Sequence, residues 1–460
     1  MKSKNRINMH LDFSRRLCLL FACLGCLQQA GAETIISEEP PVFDATKIPS
    51  QLERGYRAST AEAVDAAATN LPATVTKQNN PFIDDTKVLL HLRNYYLTRS
   101  TFDNDDVETW AQGGWLRVTS GEAWDFLSFG ATVYGCYRLY GPDDKDGAKM
   151  LRPEQKNITV PGELYAKLHV AGYEAKLGRQ EYNLPFVNKQ DIRMIPITFE
   201  GYHIAATAAD HPHLQYGVGY VDKIKKRDSD QFIKMSEAAG APDSVDNGAW
   251  MGGIRYSPVD LWSLETFDIY TPDVINIFYG ELVSRFKTDS DIGIKLAAQF
   301  IHQASVGDDV LERANDSTHA LGAKAEASYS GAVMTLALTG NSRKENMLDP
   351  YGTYGGYNSI IYNNYERAGE YGMRFGLSYD FGKLGLDGWS GFGNYVWGFN
   401  AVDPVTREDI PNQDELDLTI EYCFQKGFLK GLAIRGRAAL IEEEGGRSLA
   451  DYRIISNYTF

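Results

Sequence analysis

Apolar and polar residues alternate with a period of two along most of the chain from residue 86 to its end, the spacing of a strand with one dry and one wet face. The final stretch, Tyr452-Arg453-Ile454-Ile455-Ser456-Asn457-Tyr458-Thr459-Phe460, shows it most cleanly. Tyr452, Ile454, Tyr458 and Phe460 share one face, and Arg453, Asn457 and Thr459 share the other. Taken alone, this segment reads first as a half-buried edge strand of a soluble sheet and only second as a strand with lipid outside and water inside.

The same pattern predicts eighteen strands, at 86–99, 109–120, 126–139, 163–172, 173–181, 199–208, 213–221, 248–257, 261–270, 274–287, 293–304, 318–329, 332–341, 370–381, 388–400, 415–424, 432–442 and 449–460. Short links at 121–123, 257–260, 288–291 and 330–331 alternate with longer polar ones at 100–108, 141–162, 222–247 and 342–368. Two classes of connector in alternation mean two ends of one barrel, with short periplasmic turns and long extracellular loops. The predicted fold class is therefore all-β, a transmembrane up-and-down β-barrel of eighteen antiparallel strands over residues 81–460. After residue 27 no uncharged apolar run reaches the roughly 18 residues of a membrane helix, so a closed barrel is the remaining way to span a bilayer.

Alternation also assigns faces. Arg435 and Arg437 fall opposite Ile434, Ala438 and Leu440; Arg374 falls opposite Tyr371, Met373 and Phe375; Arg453 joins them on the last strand and His91 and Arg93 on the first. Lys167, Lys176, Arg255, Arg285, Lys295 and Lys324 are placed inward by the same rule, as are the acids Glu281, Glu326, Glu415, Asp417 and Glu421. So many charges in a dry core would each cost several kcal/mol, so the interior must be wet. For any one basic residue, an ion pair on a solvated wall and a substrate contact remain open. As a set, guanidinium and ammonium groups along an aqueous lumen offer an anion successive weak contacts, which conduction requires.

The first 80 residues differ. Lys2, Lys4, Arg6, Arg15 and Arg16 precede an apolar run at 17–27 and then Ala30-Gly31-Ala32, the order of a secretory signal cleaved after Ala32. Lipid attachment at Cys23 or Cys26 is the alternative, but Phe21 and Leu24 suit it poorly. Residues 33–80, with Pro40-Pro41, Pro49 and Pro72, read as a periplasmic extension, either disordered or carrying a short helix at 60–71. Losing five positive charges and one negative with the signal would take the net charge from −15 to −19, which argues against a nucleic-acid partner. Of five cysteines only Cys136 and Cys423 would remain, too few for a disulfide framework.

Several segments in order resemble the OprD-type family of substrate-specific outer-membrane porins: Leu92-Arg93-Asn94-Tyr95-Tyr96, Trp110-Ala111-Gln112-Gly113, Leu177-Gly178-Arg179-Gln180, Leu184-Pro185-Phe186-Val187-Asn188, and above all Asp191-Ile192-Arg193-Met194-Ile195-Pro196-Ile197-Thr198-Phe199-Glu200-Gly201. The resemblance covers residues 81–460 and includes the closing strand. It implies a monomeric or loosely trimeric barrel whose third extracellular loop, here 182–198 with Lys189, Asp191 and Arg193, folds inward as the constriction. It also implies a basic ladder along one side of the channel, with Arg435, Arg437 and Arg453 at the matching places. The chain departs from the family in its 48-residue extension and in the number of lumenal acids.

The expected function is passive or facilitated diffusion of small hydrophilic solutes, organic carboxylates foremost, across the outer membrane of a Gram-negative bacterium. The expected constriction and lumen residues are Arg193, Lys189, Asp191, Arg435, Arg437, Arg453, Arg93 and Arg374, with no cofactor or metal. An outer-membrane hydrolase is the rival from another class. Eight histidines scattered over the strands supply no ordered nucleophile and base, and no Gly-x-Ser-x-Gly turn is present. His91 and His203 read as wall residues. The loop Asp143-Asp144-Lys145-Asp146-Gly147 lacks the ligand run and distal Glu of a calcium loop. An adhesin or receptor using the long loops stays open as a second role.

Overall fold

The computed structural model describes residues 80–460 except 103–105, 289 and 314. The expected signal at 1–32 and the extension at 33–80 lie outside the described residues, save Asn80. The first strands are β1 (Lys87–Ser100), β2 (Val107–Thr119), β3 (Leu127–Tyr140), β4 (Ile158–Val170), β5 (Tyr173–Gln180), β6 (Thr198–Ala206) and β7 (Leu214–Lys225). A two-residue strand, β8 (Ile233–Lys234), pairs only with the end of β7 and belongs to a loop. Next come β9 (Ala249–Val259), β10 (Trp262–Thr271), β11 (Ile275–Lys287), β12 (Gly293–Ser305), β13 (Ser317–Tyr329) and β14 (Ala332–Asn341). The wall ends with β15 (Tyr371–Asp380), β16 (Trp389–Phe399), β17 (Gln413–Cys423), β18 (Ala433–Glu443) and β19 (Arg447–Thr459).

Leaving β8 aside, eighteen strands each pair antiparallel with their neighbours in sequence, and β19 closes on β1. Closure leaves no free strand edge, so the backbone is satisfied without water. At the seam Phe460 N–H donates to Leu90 O at 2.9 Å, and inside it Arg93 Nε donates to Asn457 Oδ1 at 2.7 Å. Tyr452 and Ile454 are exposed on the outer face while Asp451, Arg453 and Ile455 are buried on the inner one, as the alternation predicted. Ile434 and Leu440 outside and Arg435 and Arg437 inside repeat it on β18. No helix among the described residues is long and apolar enough to cross a membrane; strands do the crossing.

Loop length is sorted by rim less strictly than expected. The links 272–274 and 444–446 lie on the long-loop rim yet are tight, the latter turning through Gly445 and Gly446 at φ of 107° and 89°. On the opposite rim, 381–388 is lengthened by a short 3₁₀ helix, Phe381–Leu384, which Asp380 caps by accepting from Gly382 N–H. β4 begins at Ile158, well before the expected 163. Pro161 there stands opposite a register shift between Thr132 and Val133, where a missing N–H is tolerated.

Candidate channel constriction

The third long loop, 181–197, carries an apolar set that a solvated loop would not: Tyr182, Leu184, Phe186, Val187, Met194, Ile195 and Ile197 are all buried. Two wall clusters take them up. Tyr182 to Val187 pack with Phe267, Ile277 and Tyr279, whereas Met194 and Ile195 pack with Tyr95, Leu97 and Ala111. The loop therefore lies against the inner wall. Its own backbone holds the fold, with Lys189 N–H donating to Tyr182 O at 2.8 Å and Ile197 N–H to Lys189 O at 2.7 Å. Arg93 clamps its centre, donating from Nη1 to Asp191 Oδ1 at 2.5 Å and to the Arg193 carbonyl at 2.6 Å. Burial opposes charge on Asp191, but the Arg93 guanidinium outweighs it and holds the carboxyl down at about 2.

The link expected at 342–368 as an extracellular connection turns inward as a second loop over 342–370. Tyr351, Tyr354, Tyr357, Ile360, Ile361 and Tyr365 are all buried, too much apolar surface for a loop in water. The wall supplies its hydrogen bonds. Tyr351 Oη meets Thr271 Oγ1 at 2.7 Å, Tyr357 Oη donates to Glu281 at 2.7 Å, and Arg374 Nη1 donates to the Tyr357 carbonyl at 3.0 Å. Near its turn, the Tyr362 and Asn363 amides each donate to Glu415 at 2.8 Å, and the Ile361 amide donates to Asp417 at 3.0 Å. The two loops also join each other: Thr353 N–H donates to Asn188 Oδ1 at 2.9 Å and Gln190 Nε2 donates to Gly352 O at 2.9 Å.

The expected basic residues divide by partner. Arg435 is paired with Glu421 at 2.6 Å, and Arg453 with Asp451 at 2.5 Å; Asp451 also takes Arg99 at 2.8 Å. Arg453 further donates to the Ile361 carbonyl at 3.3 Å, so it braces the second loop. Arg93 and Asp191 are spent on one another, and Arg374 on Asn394 and the Tyr357 carbonyl. Arg437 differs. It donates to the Thr419 hydroxyl at 3.3 Å and lies 5.9 Å from the Phe392 ring centroid. Among the described residues Arg193 donates to carbonyls, those of Ala148 at 2.9 Å and Ile192 at 3.0 Å. Burial, then the nearby charges of Arg453 and Arg227, push the Arg193 pKa well down. A guanidinium stays protonated, so this marks a cluster of like charge. Lys189 is half-buried on the first inward loop.

Three charged groups of the region were not singled out from sequence. Arg227, on the loop after β7, is held below its usual range by burial and lies within electrostatic reach of Asp228, Arg453 and Asp349. Asp349 and Glu366, on the second inward loop, are raised to about 6 and about 8, both chiefly by burial, and Glu366 next by the charge of Asp349. The only signal in the sequence was the tyrosine-rich run around them, which has no strand or helix period.

A family model described as "outer membrane porin, OprD family" matches residues 80–460. The porin-like protein GalP of Pseudomonas putida is 23% identical over 411 residues, which cover 85% of this chain and 96% of that protein. Among solved structures, Pseudomonas aeruginosa OccK9 (OpdG) matches with a TM-score of 0.74 at 22% identity, covering 82% of this chain and 99% of that one. The complex of P. aeruginosa OpdK with vanillate matches with a TM-score of 0.71 at 22% identity over the same shares. Acinetobacter baumannii OccAB2 gives 0.72 at 20% identity, over 83% and 99%. These neighbours are porins and share the barrel. A closed eighteen-strand wall and a family match over all of it place the chain in the OprD family of porins of the Gram-negative outer membrane.

Proposed function

We propose that this porin passes small hydrophilic anions, organic carboxylates foremost, by diffusion past Arg437, Arg453 and Arg193 at the level where the two inward loops meet. The observation that carries the proposal is the state of Arg437: a lumenal guanidinium whose hydrogen bond goes to a hydroxyl, Thr419, while Arg435 and Arg453 on either side are matched by carboxylates. A carboxylate arriving there gains a charge-assisted contact that displaces no ion pair. It meets Arg453 and Arg193 as further positive groups that hold it loosely, which conduction needs. The OpdK complex supports the same chemistry, since vanillate is an aromatic carboxylate.

Lys189, Asp191, Arg93 and Arg374 serve in this scheme as the frame. They fix the loops, and the solute contacts fall to Arg437 first. The mature protein begins after Ala32, and residues 33–80 form a periplasmic extension to a monomeric or loosely trimeric barrel. In a planar bilayer the purified protein should give stepwise conductance, and its reversal potential in a potassium chloride gradient should be that of an anion-preferring pore. A cation-preferring reversal potential overturns the carboxylate assignment, and a silent bilayer with an intact barrel overturns conduction itself.

A further inference from the structure

The outer wall carries a feature that conduction does not use. On the lipid-facing side of β7, β9, β10 and β11 lies a groove of about 570 Å³. Its floor includes Gly252, Thr266 and Asp268, and its sides are aromatic and aliphatic, with Trp250 and Val218 more than half exposed. Alternation and register fix the placement: Asp268 stands between Gly252 on β9 and Phe278 on β11, one step below Tyr270 and Trp250.

Glycine at position 252 is not required by the fold. Its φ is not in the left-handed region, and a Cβ there would meet only Gly217 O at 3.6 Å and Val218 Cγ1 at 3.7 Å, ordinary contact distances. Gly280, opposite Thr266, is equally unconstrained, a Cβ meeting only the Phe278 ring at 3.6 Å. Glycine within a strand weakens it, and where neither conformation nor crowding calls for it, it marks close approach by something else. On the same face of β9, Trp250 and Ile254 supply the large side chains usual against lipid.

The second observation is a carboxylate where hydrocarbon should be. Asp268 faces outward beside Asn276, whose Nδ2 donates to both carboxylate oxygens, at 3.1 and 2.9 Å. A carboxylate has about four acceptor positions, and one amide nitrogen leaves the others in need of donors. Left to alkyl chains they would be costly. Tyr270 and Trp250 belong to the aromatic girdle on the long-loop rim, which marks the outer interface. Two residues along a strand tilted by about 45° put Asp268 roughly 5 Å below it. That is the depth of the first few carbons of an acyl chain in the outer leaflet.

We propose that this groove is a docking site for one acyl chain of an outer-leaflet lipid that carries a hydroxyl or amide N–H within its first few carbons. The alkyl part lies over Gly252 and Gly280 between Val218, Trp250 and Phe278, and the polar hydrogen meets Asp268. Only the spanning barrel is needed, so the site stands or falls apart from the solute assignment.

The test uses the full-length mature porin in nanodiscs of two compositions. One contains lipid A, whose chains are 3-hydroxylated and amide-linked; the other contains a phosphatidylethanolamine with plain chains. Native mass spectrometry counts retained lipid. The wild type should keep lipid A about tenfold more often than the plain lipid. Gly252→Leu, which fills the groove, and Asp268→Leu, which removes the acceptor, should each bring the ratio near one, with conductance unchanged. Leu336→Trp, at an exposed outward position on β14, should leave it as in the wild type. A wild-type ratio near one overturns the proposal without reference to any variant. So does efficient disulfide cross-linking of two copies through Gly252→Cys in the lipid A bilayer, which would give the groove to a second chain.

Discussion

Arg437 and Arg453 stand directly opposite one another on β18 and β19, two positive residues in cross-strand register on the lumenal face. Like charges so placed destabilise a sheet, by up to about 1 kcal/mol. Asp451 neutralises Arg453, and Arg99 shares that carboxylate. Among the described residues Arg437 contacts the Thr419 hydroxyl and the face of Phe392 and makes no direct ion pair, with Asp417 within electrostatic reach. The pair is therefore asymmetric, with one arginine structural and the other available.

Replacement of Arg437 by Gln should leave the barrel as stable as before or slightly more so, within about 1 kcal/mol, because a like-charge repulsion disappears. Anion preference should fall, read as a shift of the reversal potential toward zero. Arg453→Gln should behave in the opposite way. It leaves buried Asp451 to Arg99 alone and removes the donor to the Ile361 carbonyl, so a loss of roughly 2 kcal/mol is expected. Urea melts of both variants, set beside their reversal potentials, separate the two roles. Equal selectivity in wild type and Arg437→Gln would remove Arg437 from the solute path.

The second inward loop is tied to the wall by two carboxylates, Glu415 and Asp417, that accept three consecutive backbone amides. Removing both acceptors, in Glu415→Ala with Asp417→Ala, leaves those amides unmade. The turn at 360–364 should then come away from the wall. Single-channel recordings should show added flicker and altered conductance, and limited proteolysis should cut within 342–370 where the wild type resists. Quiet traces and an intact loop would mean that the tyrosine anchors suffice.

How far this was legible from sequence differs by element. Strand positions and faces followed from the period-two pattern, since one wet and one dry face leave no freedom of register. The early start of β4 was hidden because Pro161 reads as a breaker; only its partner strand shows that it sits at a bulge. The loop 342–370 has no period at all. Its inward course depends on Thr271, Glu281, Arg374 and Asp417, residues far away in sequence. The same holds for the ladder. That Arg435 faces Glu421 while Arg437 faces Thr419 is a matter of register between β17 and β18, and it decides which arginine is left for a solute.

Gly352 sits where the two inward loops meet. A Cβ there would approach Asn188 Cγ and Oδ1 at 2.8 Å and its backbone N at 2.9 Å, nearer than atoms tolerate. Gly352→Val should break the Gln190 and Thr353 hydrogen bonds and shift both loops while leaving the wall intact. Single-channel conductance should change by a factor of about two or more, with the heat-stability of the barrel unaltered. Unchanged conductance would show that the constriction is set elsewhere.

The acids of the second loop make the channel pH-dependent. Asp349 and Glu366 are raised to about 6 and about 8, chiefly by burial, and they face Arg227, Lys149, Asn364 and Glu370. A carboxyl whose folded pKa lies above its unfolded value binds its proton more tightly when folded. Its stabilisation is complete below the unfolded value, roughly 4, and is lost as pH rises through the folded one. The loop should therefore pack best in acid and lose that stabilisation progressively from about pH 4 to about pH 8. Over that interval up to two negative charges appear on the loop, that of Asp349 within reach of Arg227, so anion preference should fall as pH rises. The Arg93–Asp191 clamp, with its carboxyl at about 2, stays charged throughout and cannot be the source. Reversal potentials from pH 5 to pH 9 should trace the decline, and Asp349→Asn with Glu366→Gln should flatten it. A slope that survives the double substitution would place the titrating group elsewhere.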